Sequence, residues 1–328
     1  MRTREDYRTR PGRAAPVLRS ARMAPPLRKR LRRAVRSAIV RSFIRLLGLL
    51  PLGPALWLGE LLGRIAFRLG GRARNLALAH LEMAFPEKSP AEREAIVRGM
   101  FVHLAMCAME VVTIRSYDRD LERYVAFARP DHLREVMARG NGMVYVTGHV
   151  GNWELMARRV ATSGVPNAVI AKAGSDRKLN AMIERFRASG GVTTLWRESP
   201  DTGRAIIRTF RQGRALGILI DQDTRVQGVF APFFGRPAWT PRAAADFALR
   251  FGAPVVVGTA HRQGPGRGGG HLIDTVEVPY DPDPSDREAE VVRLTAACNA
   301  ALEDAIRRHP EEWVWMHERW KTSPGTPT

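Results

Sequence analysis

The sequence of 328 residues is poor in the residue patterns that build covalent or metal-stabilised proteins. It contains only two cysteines, Cys107 and Cys298, and they form no CxxC pair. This excludes a disulfide framework and predicts two buried thiols in a reducing compartment. The eight histidines show no zinc-ligand spacing, so no metal is expected. The longest uncharged run of the N-terminal third, Leu46 to Gly59, contains two prolines and is shorter than the roughly 20 residues of a membrane-spanning helix.

Basic residues are in excess and unevenly placed. The formal net charge is +19, and residues 1–36 hold thirteen Arg or Lys against Glu5 and Asp6. Aromatic residues, which stack on the bases of single-stranded nucleic acids, are represented there by Tyr7 alone, so no nucleic-acid partner is expected. Two interpretations of this basic, disordered arm remain open: a solvated tail, or attachment to an anionic phospholipid surface.

Residues 37–130 are predicted to form a helical region that packs and associates with a membrane. Arg41 and Arg45 are four residues apart, as are Glu60, Arg64 and Arg68, while the other faces carry large apolar side chains. This pattern favours a helical hairpin lying in the membrane interface, and the alternative is a helical pair packed on the protein's own core. A capping sequence at Ser89 predicts a long helix from about Pro90 to Arg115.

Residues 131–328 alternate short apolar runs with helical windows. This rhythm predicts an α/β domain, with a mostly parallel central sheet covered by helices on both faces. The predicted strands are Met143–Val146, Ala168–Ala171, Val192–Leu195, Ala215–Ile220, Pro254–Thr259 and Leu272–Val278. The predicted helices lie near Trp153–Ser163, Arg177–Ser189, Gly203–Gln212, Pro241–Phe251 and Ala289–Arg308.

The junction after the first of these strands carries the strongest candidate for chemistry. His149 follows the strand, and Glu154 lies in the first turn of the next helix, which Asn152 is expected to cap. On a continuous helix, five residues would leave the two side chains about 140° apart, but the glycines between them break the helical pattern. We therefore expect Glu154 to reach the imidazole and orient His149 as a general base.

These residues resemble a known family. His149-Val-Gly-Asn-Trp-Glu154 is similar to the HxxxxD/E motif of the glycerolipid and lysophospholipid acyltransferases, and its GHxGNWE form resembles the bacterial lipid A biosynthesis (late, or secondary) acyltransferases. Further blocks agree in order, so that the resemblance covers roughly residues 40–322. They are Arg74-Asn75-Leu76 through Phe85-Pro86-Glu87, Asp221-Gln222-Asp223 through Phe233-Phe234-Gly235, and His309-Pro310-Glu311 through Trp320-Lys321.

The resemblance implies an αβα sandwich that transfers a fatty acyl chain from acyl carrier protein or coenzyme A to a hydroxyl of a lipid A precursor or similar glycolipid. It implies no cofactor, and a site on the cytoplasmic face of the bacterial inner membrane. An arginine late in the second helix of the α/β region is matched to Arg187, with Arg185 as the rival. An enzyme that acylates phosphatidylinositol mannosides is the alternative, and a non-catalytic basic protein that binds membrane or nucleic acid is the alternative of another class.

The remaining candidate residues carry substrate-binding expectations. Lys172, Arg185 and Arg187 belong to a basic set suited to phosphates or to an acidic carrier protein. Asp221 and Asp223 either bind the acceptor beside His149 or form a strand-end salt bridge. Phe233 and Phe234 either line an acyl-chain wall or pack in the core, and the oxyanion donor is either a backbone N–H near Asn152 or an arginine.

Overall fold

The computed structural model describes Ala38, residues 41–264 and residues 269–325, and the described residues from 41 onward form one compact unit. The whole basic arm of residues 1–36 and residues 265–268 of the glycine-rich connection lie outside the described residues. A helical segment at residues 41–47 precedes the named elements. The ten helices numbered here are α1 (Leu52–Leu69), α2 (Gly71–Ala84), α3 (Pro90–Val112), α4 (Leu121–Tyr124), α5 (His132–Met137), α6 (Trp153–Thr162), α7 (Arg177–Ser189), α8 (Thr202–Arg211), α9 (Ala243–Phe251) and α10 (Arg287–Arg308).

The described part of the chain forms nine strands in two sheets. They are β1 (Val125–Phe127), β2 (Met143–Thr147), β3 (Asn167–Ala171), β4 (Val192–Trp196), β5 (Ala215–Leu219), β6 (Gly228–Phe233), β7 (Arg236–Pro241), β8 (Val255–Arg262) and β9 (His271–Val278). The central sheet has the order β1-β9-β8-β2-β5-β3-β4, and all of its pairs are parallel except β8 with β9. Strands β6 and β7 form a separate antiparallel hairpin. This confirms the predicted α/β class with its mostly parallel sheet.

Helices bury the two faces of this sheet in two cores. Along β5, Leu216 and Ile218 join the core that also contains α2, α3, α9 and α10, whereas Ala215 belongs to the core that contains α5 and α6. The alternation follows from the two-residue period of a strand. Parallel strands β2 and β5 are neighbours, with Thr147 opposite Leu219, so the segments that follow them lie side by side at the carboxyl edge of the sheet.

Helix α1 packs against α3 through one of its faces. Gly59 and Gly63 of α1 lie so close to α3 that a Cβ atom at Gly63 would come within 2.5 Å of the Val102 Cα atom. Helix α3 is long and apolar enough to cross a membrane by length and composition, but it buries Val97, Met100 and Met106 inside the protein. The opposite side of α1 and the described segment of residues 41–51 before it expose large apolar side chains. They are Phe43, Leu46, Leu49, Trp57, Leu61, Leu62, Ile65 and Leu69.

Candidate active site

The turn between β2 and α6 has the strand-turn-helix form predicted for it. Gly151 has a φ of 61°, and a Cβ atom there would lie 1.4 Å from the Ala260 carbonyl oxygen, so only glycine fits. Asn152 is the N-cap of α6, and its Oδ1 accepts a hydrogen bond from the Leu155 N–H at 3.2 Å. The turn therefore holds His149 at the carboxyl edge of the sheet and starts the helix that carries Glu154.

The carboxylate that contacts His149 is Asp221, which corrects the expectation for Glu154. His149 Nδ1 lies 2.9 Å from Asp221 Oδ1, and the His149 backbone N–H donates to Asp221 Oδ2 at 2.6 Å. The indole N–H of Trp313 donates to the same Oδ2 at 2.8 Å. Burial opposes ionisation of Asp221, but the imidazole charge and these hydrogen bonds outweigh it and hold the pKa of Asp221 well below its usual range.

Glu154 forms an ion pair with Arg187 instead. The Arg187 Nε and Nη2 atoms donate to the two carboxylate oxygens at 2.9 and 2.6 Å. Because both partners are largely buried, this bidentate pair fixes the guanidinium plane. The remaining nitrogen, Nη1, is buried and has no hydrogen-bond partner among the described residues. Arg187 is thus the arginine of α7 that reaches this turn, whereas its rival Arg185 and the basic Lys172 are exposed.

Two residues that sequence reasoning did not assign to the chemistry also surround His149. The Gln222 Nε2 atom lies 2.7 Å from His317 Nε2 and at 3.2 and 3.3 Å from the two ring nitrogens of His149. The Gln222 amide therefore lies within hydrogen-bond distance of both histidine rings, and it links His149 to His317. Burial, followed by the charge of His149, lowers the pKa of His317 to about 4, which keeps His317 neutral near pH 7.

A narrow apolar slot of about 50 Å³ begins beside these residues and runs under α6. Glu154, Arg187 and Trp153, whose ring contacts that of His149, line the slot. Ala215, Gly217 and Leu219 of β5 line it from the sheet side, and these positions span about 13 Å of strand at 3.3 Å per residue. The mostly apolar lining suits an alkyl group rather than a sugar ring.

The other predicted substrate-binding residues lie elsewhere. Phe233 and Phe234 pack in an aromatic core with Trp313, and neither lines the slot, which corrects the acyl-wall expectation. Asp223 forms no contact with His149, since its backbone oxygen accepts from Lys321 Nζ and its carboxylate accepts from the Thr322 N–H. Lys172 and Arg185 have no hydrogen bond or ion pair to another described side chain.

A buried network behind the turn joins Asn152 to α3 and β8. Glu110 accepts hydrogen bonds from Asn152 Nδ2 at 2.8 Å and from an Arg262 guanidinium nitrogen at 2.6 Å. Burial opposes ionisation of Glu110, but its partners, His271 first, hold its pKa well below the usual range. Nearby, burial raises the pKa of Glu312 to about 7, although its carboxylate accepts the Arg262 backbone N–H. The network fixes the cap from which α6 starts.

Comparison with known proteins gives concordant matches. Residues 26–322 match the family model described as bacterial lipid A biosynthesis acyltransferase. The chain is 26% identical over 275 residues to the lipid A biosynthesis lauroyltransferase of Escherichia coli K12, covering 83% of this chain and 87% of that protein. It is 27% identical over 274 residues to the lipid A biosynthesis myristoyltransferase of the same organism, covering 80% of each. A phosphatidylinositol mannoside acyltransferase of Mycobacterium tuberculosis CDC 1551 is 24% identical over 212 residues, covering 63% of this chain and 62% of that protein.

Proposed function

Because the chain belongs to the bacterial lipid A biosynthesis acyltransferase family, we propose that it transfers a fatty acyl chain from an acyl thioester to a hydroxyl of a phosphorylated glycolipid, such as a lipid A precursor. The observation that carries this proposal is the hydrogen-bonded pair of His149 and Asp221, with the His149 ring against Trp153, which lines the apolar slot. The slot takes the acyl chain of the donor, and Nε2 of His149 faces the acceptor hydroxyl. No cofactor is needed for this transfer.

His149 acts as the general base. Its Nε2 takes the hydroxyl proton while the acceptor oxygen forms a bond to the thioester carbonyl carbon. When the tetrahedral intermediate collapses, the carbon–sulfur bond breaks and the imidazolium returns its proton to the leaving thiolate. Asp221, hydrogen-bonded to Nδ1, holds the tautomer whose Nε2 is unprotonated and stabilises the imidazolium that forms between these steps.

Arg187 supplies positive charge for the oxyanion. Glu154 occupies two of its nitrogens, which leaves Nη1 as a fixed donor on a side chain that lines the slot. A donor that is already oriented stabilises the developing negative charge without reorganising during the reaction. In this proposal Glu154 acts on the carbonyl oxygen through Arg187, rather than on the proton transfer through His149.

Attachment to a membrane through α1 completes the proposal. The exposed apolar face of α1 includes Trp57 and Leu69, and Arg64 and Arg68 lie beside it on the surface. Apolar side chains flanked by arginines suit an interface helix on an anionic leaflet, here the cytoplasmic face of the inner membrane where acyl carrier protein or coenzyme A thioesters are found. In flotation with anionic vesicles, Trp57→Ser/Leu69→Ser protein should dissociate and wild-type protein should remain bound. Equal flotation of both would place the membrane contact elsewhere.

Acyl transfer itself is tested with the full chain in detergent, supplied with an acyl thioester and a phosphorylated glucosamine disaccharide lipid. Mass spectrometry should show one added acyl chain, and His149→Ala protein with an unchanged unfolding temperature should show none. Transfer at the wild-type rate by that variant would refute the role of His149. Membrane lipids compared with and without the gene then identify the acceptor, a phosphatidylinositol mannoside included.

A further inference from the structure

A second cavity, larger than the slot, adjoins the active site from another side. It has a volume of about 1190 Å³, comparable with the larger ligand sites of proteins. The segment that follows Asp221, one side of α9 and the start of α10 form its walls, together with Lys321 and Thr322. We propose that this cavity, defined here as the Arg225 cavity, binds a phosphate group of a substrate. The proposal rests on the proposed function, because it assigns the cavity to a substrate of that reaction.

The Arg225 cavity is lined by more basic than acidic side chains. Five basic side chains line the Arg225 cavity against three acidic ones. Arg242 is neutralised, since its guanidinium donates to both Asp246 and Glu288. In contrast, Arg225 and Arg250 have no carboxylate partner among the described residues, and the Arg287 guanidinium contacts only the Asp246 carbonyl oxygen, at 3.4 Å. These three arginines are exposed, and their planar guanidinium groups are suited to phosphate oxygens.

A short segment of the chain connects the Arg225 cavity to His149. Asp221 and Gln222 both contact the ring nitrogens of His149, and the next residue, Asp223, lines the cavity. Hydrogen bonds from Lys321 and Thr322 hold Asp223 in that wall. A substrate that reaches from the cavity to His149 therefore needs to pass only this short segment. The slot, in contrast, is lined by Trp153 and Glu154 and shares no lining residue with the cavity, so the alkyl chain and the phosphate bind at different residues.

The chemistry of the reaction offers two sources for the phosphate. A phosphopantetheine thioester carries a phosphate on the donor, and a phosphorylated glycolipid carries one on the acceptor. Both present anionic phosphoryl oxygens to the three arginines, and kinetic measurements separate them because each substrate has its own KM.

The test uses the full chain in detergent and compares Arg225→Ala/Arg287→Ala protein with an Arg211→Ala control. Arg211 is an exposed arginine of α8 outside the cavity, with no carboxylate partner among the residues that the structure describes. Calorimetric titration with inorganic pyrophosphate should show saturable binding to wild-type and control protein, and at least tenfold weaker binding to the double variant. Unfolding temperatures check that each variant is folded.

Steady-state kinetics then identify the substrate. A rise of tenfold or more in the donor KM, seen also when water replaces the acceptor, assigns the phosphate to the thioester; the same rise in the acceptor KM alone assigns it to the glycolipid. Wild-type protein that fails to bind pyrophosphate, or a folded double variant whose pyrophosphate affinity and KM values match the control, overturns the proposal. Pyrophosphate binding that the double variant loses, in a wild-type protein without acyl transfer, supports the anion site while refuting the proposed function.

Discussion

Replacement of Asp221 by asparagine tests the proton-transfer arrangement most directly. Asp221 Oδ2 accepts from two fixed donors, the His149 backbone N–H and the Trp313 indole N–H. An asparagine at this position must keep its oxygen toward those donors, which turns its NH₂ group toward His149 Nδ1. Nδ1 then has to accept a hydrogen bond, so the ring proton moves to Nε2 and the general base is blocked.

The expected loss follows from that tautomer change. The aspartate-to-asparagine change in the catalytic triad of a serine protease, where the aspartate orients the histidine in the same way, lowers kcat about 10⁴-fold with the geometry intact. We expect a loss of about 10³- to 10⁴-fold in kcat for Asp221→Asn, equivalent to about 4 to 5.5 kcal/mol of activation free energy. The donor KM should change little, because Asp221 does not line the slot.

Glu154→Gln is the matched comparison. Glutamine keeps an oxygen for one Arg187 nitrogen and loses the charge, so the oxyanion donor is weakened rather than removed. We expect a loss of roughly 10- to 100-fold. Single-turnover acyl transfer, measured on variants whose unfolding temperatures match wild type, gives both values. A loss above 10³-fold in Glu154→Gln combined with less than tenfold in Asp221→Asn would refute the assignment and restore Glu154 as the partner of His149.

Three further predictions concern the slot, the turn and the buried network. Ala215→Met fills the floor of the slot, so competition among acyl thioesters should shift toward shorter chains, and an unchanged length preference would place the chain elsewhere. Gly151→Ala forces a Cβ atom into the Ala260 carbonyl oxygen, so soluble expression and activity should both fall, and wild-type activity would contradict this packing. The pKa of Glu312 is about 7 in the folded protein and about 4.5 in the unfolded chain. The protonated side chain of Glu312 therefore adds to the free energy of unfolding at low pH, and this contribution is lost as the pH rises through 7. Glu312→Gln should therefore be more stable than wild type by up to about 3 kcal/mol in urea unfolding at pH 8 and equal to it at pH 4, and a constant difference at both values would refute the pKa shift.

The sequence predicted the local structure around His149 but not its partner. Glycines, a capping asparagine and an apolar strand are local signals, and they placed His149 in the turn and Glu154 in the first turn of α6. The partner Asp221 lies 72 positions away, and the contact depends on β2 and β5 being neighbours in the sheet. Strand order is set by tertiary packing, so the sequence alone points to the nearer carboxylate, Glu154, as the partner of His149.

The roles of several aromatic and histidine side chains also depend on tertiary packing that the sequence does not predict. Phe233 and Phe234 follow a proline in an apolar run, a pattern that fits either a substrate wall or a core, and only the packing of the β6–β7 hairpin against Trp313 decides for the core. His317 follows a cluster of tryptophans that indicates packing, yet the turn after Trp315 brings it to Gln222. Residue type alone carries no information on such contacts.

Strand β5 separates the residues that line the slot from the residues that pack the sheet against α9 and α10. Its odd-numbered residues face the slot, and its even-numbered residues Leu216 and Ile218 face the opposite core. With the slot as the proposed site of the acyl chain, substitutions at the odd positions are expected to change which chain is transferred, while the even positions continue to hold the sheet to α9 and α10. Each two-residue step moves a substitution about 6.6 Å along the slot, so a single strand offers a graded scale on which chain length can be reset without rebuilding the fold.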